Sequence, residues 1–300
     1  MMTVLRAYDH ATDFEKVSQL LIDTYHDPDT PQLGHINWLQ TRWEYMHFHP
    51  LIKGMDRSRI GIWEVNGEIV AVAHPEHSES PTYFEIRPGY ESLKAEMLEY
   101  ASQRIDREDE RHEGVFLMDG DQEFEEIATT AGYSATKGAE PMSAVLADLV
   151  PDQSPLPEGF LLSSLADDSD PKKVNRLLHR GFNHGSEPPD DGIADRKFMQ
   201  SAPNFDHNLN MVAIAPDGDW VSFGGMWYEP INKYGYVEPV ATDPDYRLQG
   251  LGKAVVIESI SRCKELGAQV VFVGSTLPIY RSIGFEQVYS LRKWSKNPSD

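Results

Sequence analysis

The sequence predicts an α/β (α+β) protein made of two copies of one domain, each a mixed β-sheet flanked by helices. Three observations carry this. Segments of strand period alternate with segments of helical period along the 300 residues, the pattern of layered sheet-and-helix domains. Landmarks recur in the same order at nearly one spacing: the runs at Val17 and Val174 (174 − 17 = 157), the turns at Gly67 and Gly218 (218 − 67 = 151), Tyr83-Phe84-Glu85 and Tyr236-Val237-Glu238 (238 − 85 = 153), and Gly132 and Gly284, each before an aromatic (284 − 132 = 152). Between the copies, Leu149 to Glu158 hold Pro151, Pro155 and Pro157, which forbid a continuing helix or central strand. The expected domains are therefore residues 1–150 and 159–300, with 151–158 as linker.

Taken in order, Asp13 precedes a helical period running to Tyr25, and the Trp/Tyr/His-rich stretch Trp38–His49 reads as a second helix. A hairpin is expected from Ile60 to Val72, because Asn66-Gly67 tolerates the positive φ of a tight turn. Glu91 to Ile105 reads as a helix. The second copy repeats this with helices at Lys172–Arg180 and Asp195–Gln200, a hairpin at Met211–Trp227, a strand at 234–242, a helix at Gly250–Leu266 and a strand at 268–274. Pro239 cannot donate to a neighbouring strand, so it is expected at a bulge or where two strands part.

Composition narrows the function classes. An apolar fraction of 40% supports packed cores. A formal charge of −21 argues against nucleic acid or an anionic membrane as partner, since both repel an acidic surface. The same charge also reads as plain solubility in an acidic or salty cytoplasm. A single cysteine, Cys263, precludes an intrachain disulfide, suits a reducing cytoplasm and reads as a small core residue. No signal peptide or membrane-spanning run is visible. Seven of eleven histidines precede residue 80, but none has H-E-x-x-H spacing, so no metal is expected.

The chemistry-bearing stretch is Tyr236 to Lys253, a strand, a polar turn and a glycine-punctuated loop opening a helix. Gly250 and Gly252 let backbone approach a ligand, and the N–H groups of a helix's first turn have no partners inside it. Together they make an anion cradle. A Walker loop is excluded because Arg247, six residues before Lys253, stands where its first glycine belongs and Ala254 follows Lys253, and a dinucleotide fingerprint because Val255 replaces its third glycine.

What remains, R-x-x-G-x-G after a strand, with Val270–Gly274 and then Tyr280-Arg281-Ser282-Ile283-Gly284-Phe285 downstream, resembles the acetyl-CoA loop of the GCN5-related N-acetyltransferase (GNAT) superfamily. The resemblance implies two tandem GNAT-like domains whose sheets splay at the ligand strand. It also implies that Val240, Ala241 and Thr242 pair with the pantetheine amides of acetyl-CoA. Arg247, Leu248, Gln249, Gly250, Leu251, Gly252 and Lys253 would hold the pyrophosphate. Tyr280 would protonate the leaving thiolate. In the first copy Glu91, Lys94 and Glu96 face Arg247, Gly250 and Gly252 in alignment, so that copy is expected to be degenerate, packing against the second and walling the acceptor site.

Glu238 shares a strand face with Val240 and is the candidate base for a primary amine; a structural carboxylate is the alternative, and Glu85 at the equivalent place favours it. Ser275-Thr276-Leu277-Pro278 departs from the family's start of the helix carrying Tyr280, so a short helix is expected. Glu187, Asp190 and Asp191 could attract a cationic amine or simply be solvated, and Trp227, Tyr228 and Tyr234 could line the acceptor pocket or fill the core. The expected function is a cytoplasmic N-acetyltransferase acting on a small-molecule amine in a ternary complex. The alternatives are a CoA-binding sensor or scaffold and a mycothiol-synthase-like acyltransferase. A homodimer stays open.

Overall fold

The computed structural model describes residues 2–25, 38–78, 80–105, 114–153, 155–189 and 192–296. Two compact units are present: Met1–His47, Leu51–Pro141 and Tyr289–Asp300 in the first, and Phe48–Pro50 with Met142–Val288 in the second.

The first unit contains β1 (Val4–Ala7), α1 (His10–Asp23), α2 (Gln40–Phe48), β2 (Gly61–Val65), β3 (Glu68–Pro75), β4 (Thr82–Ile86), α3 (Lys94–Tyr100), β5 (Val115–Met118), α4 (Gln122–Thr130) and most of β6 (Ser134–Leu146). Helix α1 starts three residues before Asp13, because Asp9 accepts from the Ala11 N–H and caps it. The expected turn holds, with Asn66 and Gly67 at φ of 54° and 86°. Strands β1 to β4 are successively antiparallel, and β4 meets β5 in parallel at one pair, Thr82↔Val115. One sheet face is rich in buried polar groups. Arg42 lies 3.8 Å above Trp38 and pairs with Glu76 at 3.1 Å and with Glu140, while His74 and Glu85 are buried 4.0 Å apart.

The second unit repeats this topology with β7 (Leu161–Ser164), α5 (Pro171–Gly181), α6 (Gly192–Met199), β8 (Met211–Ile214), β9 (Trp220–Glu229), β10 (Tyr234–Thr242), α7 (Leu251–Glu265), β11 (Val270–Val273) and α8 (Pro278–Arg281). Strands β7 to β10 are antiparallel neighbours and β10 meets β11 in parallel. Val255, Val256 and Ile260 of α7 pack with Val237, Val271, Val273, Ile283 and Phe285 in the core under the sheet. Cys263 is fully buried there.

A single cut at 151–158 does not describe this division, because each unit is completed by a strand from the other half of the sequence. In the second unit, β6 supplies the neighbour of β11, from Val273↔Ser143 to Val270↔Leu146. In the first, β12 (Glu286–Ser295) supplies the neighbour of β5, from Leu291↔Met118 to Trp294↔Val115. Apolar residues on both strands explain the exchange: Val145 joins the second unit's core and Trp294 the first's.

Candidate functional site

Strand β10 is irregular where Pro239 removes a donor. Its register with β9 jumps between Val237↔Met226 and Val240↔Gly224, placing Glu238 and Pro239 in a bulge, with a cis peptide bond between them. Two features of β9 hold the bulge. The Trp227 indole N–H donates to the Glu238 carbonyl at 3.0 Å, and a Cβ on Gly225 would stand 2.4 Å from that oxygen, so only glycine fits. Pairing with β11 ends at Tyr236↔Phe272, while β10 runs on to Thr242. β11 itself ends at Val273, so the stretch Val237–Thr242, which bears Val240, Ala241 and Thr242, runs on without a pair in β11.

After β10, Asp243 accepts from the Asp245 N–H at 3.0 Å and starts a tight turn over Pro244–Tyr246. Arg180 of α5 donates to Asp243 and to Asp245, the latter at 2.7 Å. The bidentate ion pair keeps the Asp243 carboxyl below its ordinary pKa despite burial, which acts the other way. Arg247, aligned with a phosphate ligand by the resemblance, is exposed and bonds to the loop's own surroundings. It donates to the carbonyls of Thr242 at 3.1 Å and Gly181 at 2.8 Å, and to Asn183 Oδ1 at 2.9 Å.

The chain then takes two left-handed steps, at Leu248 (φ 63°) and Gly250 (φ 82°). Such a conformation is uncommon for leucine, whose side chain projects fully into solvent. Gly250 is the N-cap of α7 and offers no side-chain cap, and the helix's first turn holds no acidic residue. The first-turn N–H groups and the positive end of the helix dipole are thus open to an anion. Gly252 faces Ile279 and Thr242, each with an atom 3.1 Å from where a Cβ would stand. Lys253 bridges to α8 by donating to the Ser282 carbonyl at 2.9 Å. Gln249 lies exposed in the loop.

Helix α8 is short, four residues, and buries Tyr280 edge-on to Phe285 with ring centroids 5.8 Å apart. Burial raises the Tyr280 phenol above its ordinary pKa, and the negative charge of Glu238 adds to the shift. The two candidate catalytic side chains are therefore electrostatic neighbours. The three aromatic residues expected at the pocket or in the core have these surroundings. Trp227 is buried against Phe205, Tyr228 donates to the Leu266 carbonyl at 3.0 Å, and Tyr234 packs edge-on to Phe272. Glu187 is exposed, and Asp190 and Asp191 lie outside the described residues.

The structure thus brings together the end of β10 beyond β11, the left-handed loop, Gly252, Lys253, Glu238 and Tyr280. Arg247 lies exposed beside them, and Arg180, Asn183, Gly225 and Trp227 act as supports. Of these, the adjacent strand glycines Gly224-Gly225 were the legible signal, since glycine inside a strand marks close backbone approach. Among the described residues no group of three or more His, Cys, Asp or Glu could hold a metal ion. No described helix is long and apolar enough to cross a membrane.

The equivalent stretch of the first unit is built differently. Between Gly89 and α3 no residue is left-handed. Lys94 is paired with Asp121 at 2.8 Å and Glu123 at 2.9 Å, and Glu96 accepts from the Trp63 indole at 2.9 Å.

Two units of one strand order, the second with a helix entered from a left-handed loop and free of acidic residues in its first turn, define a tandem α/β protein. Residues 174–285 match the acetyltransferase (GNAT) family. Among solved structures, a GCN5-related N-acetyltransferase from Sphaerobacter thermophilus superposes with a TM-score of 0.64 at 14% identity, covering 99% of this chain and 97% of that one. A tandem GNAT protein from the clavulanic acid biosynthesis pathway superposes at 0.61 and 13%, with full coverage of both chains (100% each). Among curated proteins, the mycothiol acetyltransferase of Saccharomonospora viridis is 27% identical over 175 residues, 54% of this chain and 57% of that protein. The one from Actinosynnema mirum is 27% identical over 180 residues, 57% of this chain and 60% of that protein. The matched region spans about three-fifths of these curated relatives.

Proposed function

We propose that the second unit transfers the acetyl group of acetyl-CoA to a primary amine of a small molecule, by direct attack in a ternary complex. The observation that carries this is the left-handed loop at Leu248 and Gly250, which delivers an uncapped helix N-terminus after a strand that runs on past its parallel neighbour. The cradle fits a pyrophosphate: the first-turn N–H groups and Gly252 would face it, and Val240 to Thr242 would pair with pantetheine amides. Acetyl-CoA supplies the activated acyl group.

Glu238 takes a proton from the acceptor ammonium, directly or through one water. A backbone N–H near Val240 or Ala241 donates to the oxygen on which charge develops. As the amine nitrogen bonds to the acyl carbon and the carbon–sulfur bond breaks, Tyr280 gives its phenolic proton to the sulfur, and the second proton shed by the nitrogen as it becomes an amide restores the phenol. Its raised pKa keeps the phenol protonated until then. Arg247, Arg180 and Asn183 act on the loop's shape rather than on the ligand.

Two relatives carry the name mycothiol acetyltransferase, and that name favours a small-molecule acceptor here too. The test is thiol release from acetyl-CoA with a panel of primary amines. Amine-dependent release, reduced roughly a hundredfold by Y280F or E238Q, supports the proposal. Tight binding with release unchanged by any amine would instead make the unit a CoA sensor.

A further inference from the structure

We infer that Ser143, which belongs to the first half of the sequence, is a positioning residue for Tyr280; the inference rests on the reading of Tyr280 as the acid. A four-residue helix is too short to hold its own shape, and Leu277 at the N-cap of α8 contributes no side-chain bond. The hold comes from outside. Ser143 sits in β6 opposite Val273, is 2% exposed, and donates its hydroxyl to the Ser275 carbonyl at 2.8 Å. Ser275 Oγ in turn accepts from the Leu277 N–H at 3.2 Å, and the Leu277 carbonyl accepts from the Tyr280 N–H at 3.0 Å. The path from Ser143 to Tyr280 is thus three hydrogen bonds long, and it starts on a strand fixed by the sheet.

The anchor stands where slack would matter. Ser143, Ser275, Thr276 and Tyr280 line one cleft of about 390 Å³, so a released Ser275 loop has space to move into. Beyond Tyr280 the Phe285 N–H donates to the Tyr280 carbonyl at 3.1 Å, which ties the far end of the segment but not its start. The exchanged strand therefore gives the first half of the chain a part in the second unit's site. That part holds without any ligand bound to the first unit.

The experiment compares S143A, S143T, Y280F and the S143A/Y280F double variant in the full chain, with acetyl-CoA and the best amine of the panel. S143A should lower kcat roughly tenfold, because small misplacements of a reacting group cost that much or more. Acetyl-CoA affinity should stay within about threefold, since the cradle is held by other bonds. S143T, which keeps the hydroxyl, should retain most of the rate, and the double variant should be no slower than Y280F. Hydrogen exchange should speed up across residues 276–285 in S143A and stay unchanged across α7. Multiplying losses in the double variant, or unchanged exchange at 276–285, would overturn the inference. If Y280F leaves kcat intact, the acid reading fails, while the exchange result still decides whether Ser143 anchors the segment.

Discussion

Cutting the chain at residue 152 should leave neither half able to fold alone. A fragment of residues 152–300 lacks β6, which pairs with β11 at four positions. It loses Met142 and Val145, 2% and 5% exposed in the intact protein. Burying each such side chain is worth about 1.5–3 kcal/mol, and each ladder hydrogen bond adds about 1 kcal/mol net. The total is about 7–10 kcal/mol, comparable to the roughly 5–15 kcal/mol that holds a whole domain together. A fragment of residues 1–151 lacks the four β5 pairings of β12 and the buried Leu291 and Trp294. The assay is urea unfolding followed by circular dichroism, with each fragment alone and both coexpressed. The expected result is no cooperative transition for either fragment and a restored one for the complex. A 152–300 fragment that unfolds cooperatively near the midpoint of the intact chain would refute the reasoning.

Three further outcomes follow from the same geometry. Gly252→Glu places a carboxylate about 6 Å from a bound pyrophosphate, costing about 3 kcal/mol at an effective dielectric of about 20. Acetyl-CoA affinity should fall roughly a hundredfold by calorimetry, whereas Gly252→Ala, whose Cβ meets only side-chain atoms at 3.1 Å, should lose far less; equal losses would make shape rather than charge the cause. Burial holds His47 and His74 down at about 3 against 6.5 unfolded, so both stay neutral in the folded state while the unfolded chain takes up protons below 6.5. Each contributes stability present above that pH and lost at about 1.4 kcal/mol per unit as pH falls toward 3. Glu85, pushed up by burial, opposes one of them in part of the range. Urea midpoints should therefore drop between pH 7.5 and 5.5, and less so in H47Q; a rise on acidification would contradict this. Finally, burial pushes the Cys263 thiol up to about 12, so a disulfide reagent at pH 8 should modify unfolded protein and leave native protein untouched.

Much of the fold was legible because repeats and turn chemistry are local. Asn66-Gly67 forces its hairpin, and Pro239 marks its own bulge. The loop from Arg247 to Lys253 could be read as a cradle because glycine spacing reports backbone approach. What sequence could not show is long-range. Nothing at Ser143 or Trp294 says that its strand completes the other unit, since both strands look apolar wherever they pair. The same limit applies to Arg247, a cation in a phosphate-like motif whose guanidinium also donates to the carbonyls of Gly181 and Thr242. Glu238 and Tyr280 were readable as candidates, but the burial of Tyr280 in a four-residue helix emerges only from the structure.

The most direct measurement of the central claim is calorimetric titration of the intact chain with acetyl-CoA. The account predicts one site, in the second unit, since the counterpart helix α3 of the first unit carries Glu96 in its first turn and is entered without a left-handed residue after Gly89. Binding of two molecules would contradict the single cradle, and no binding would reduce Gly250 and Gly252 to an ordinary turn and remove the ground for acetyl transfer.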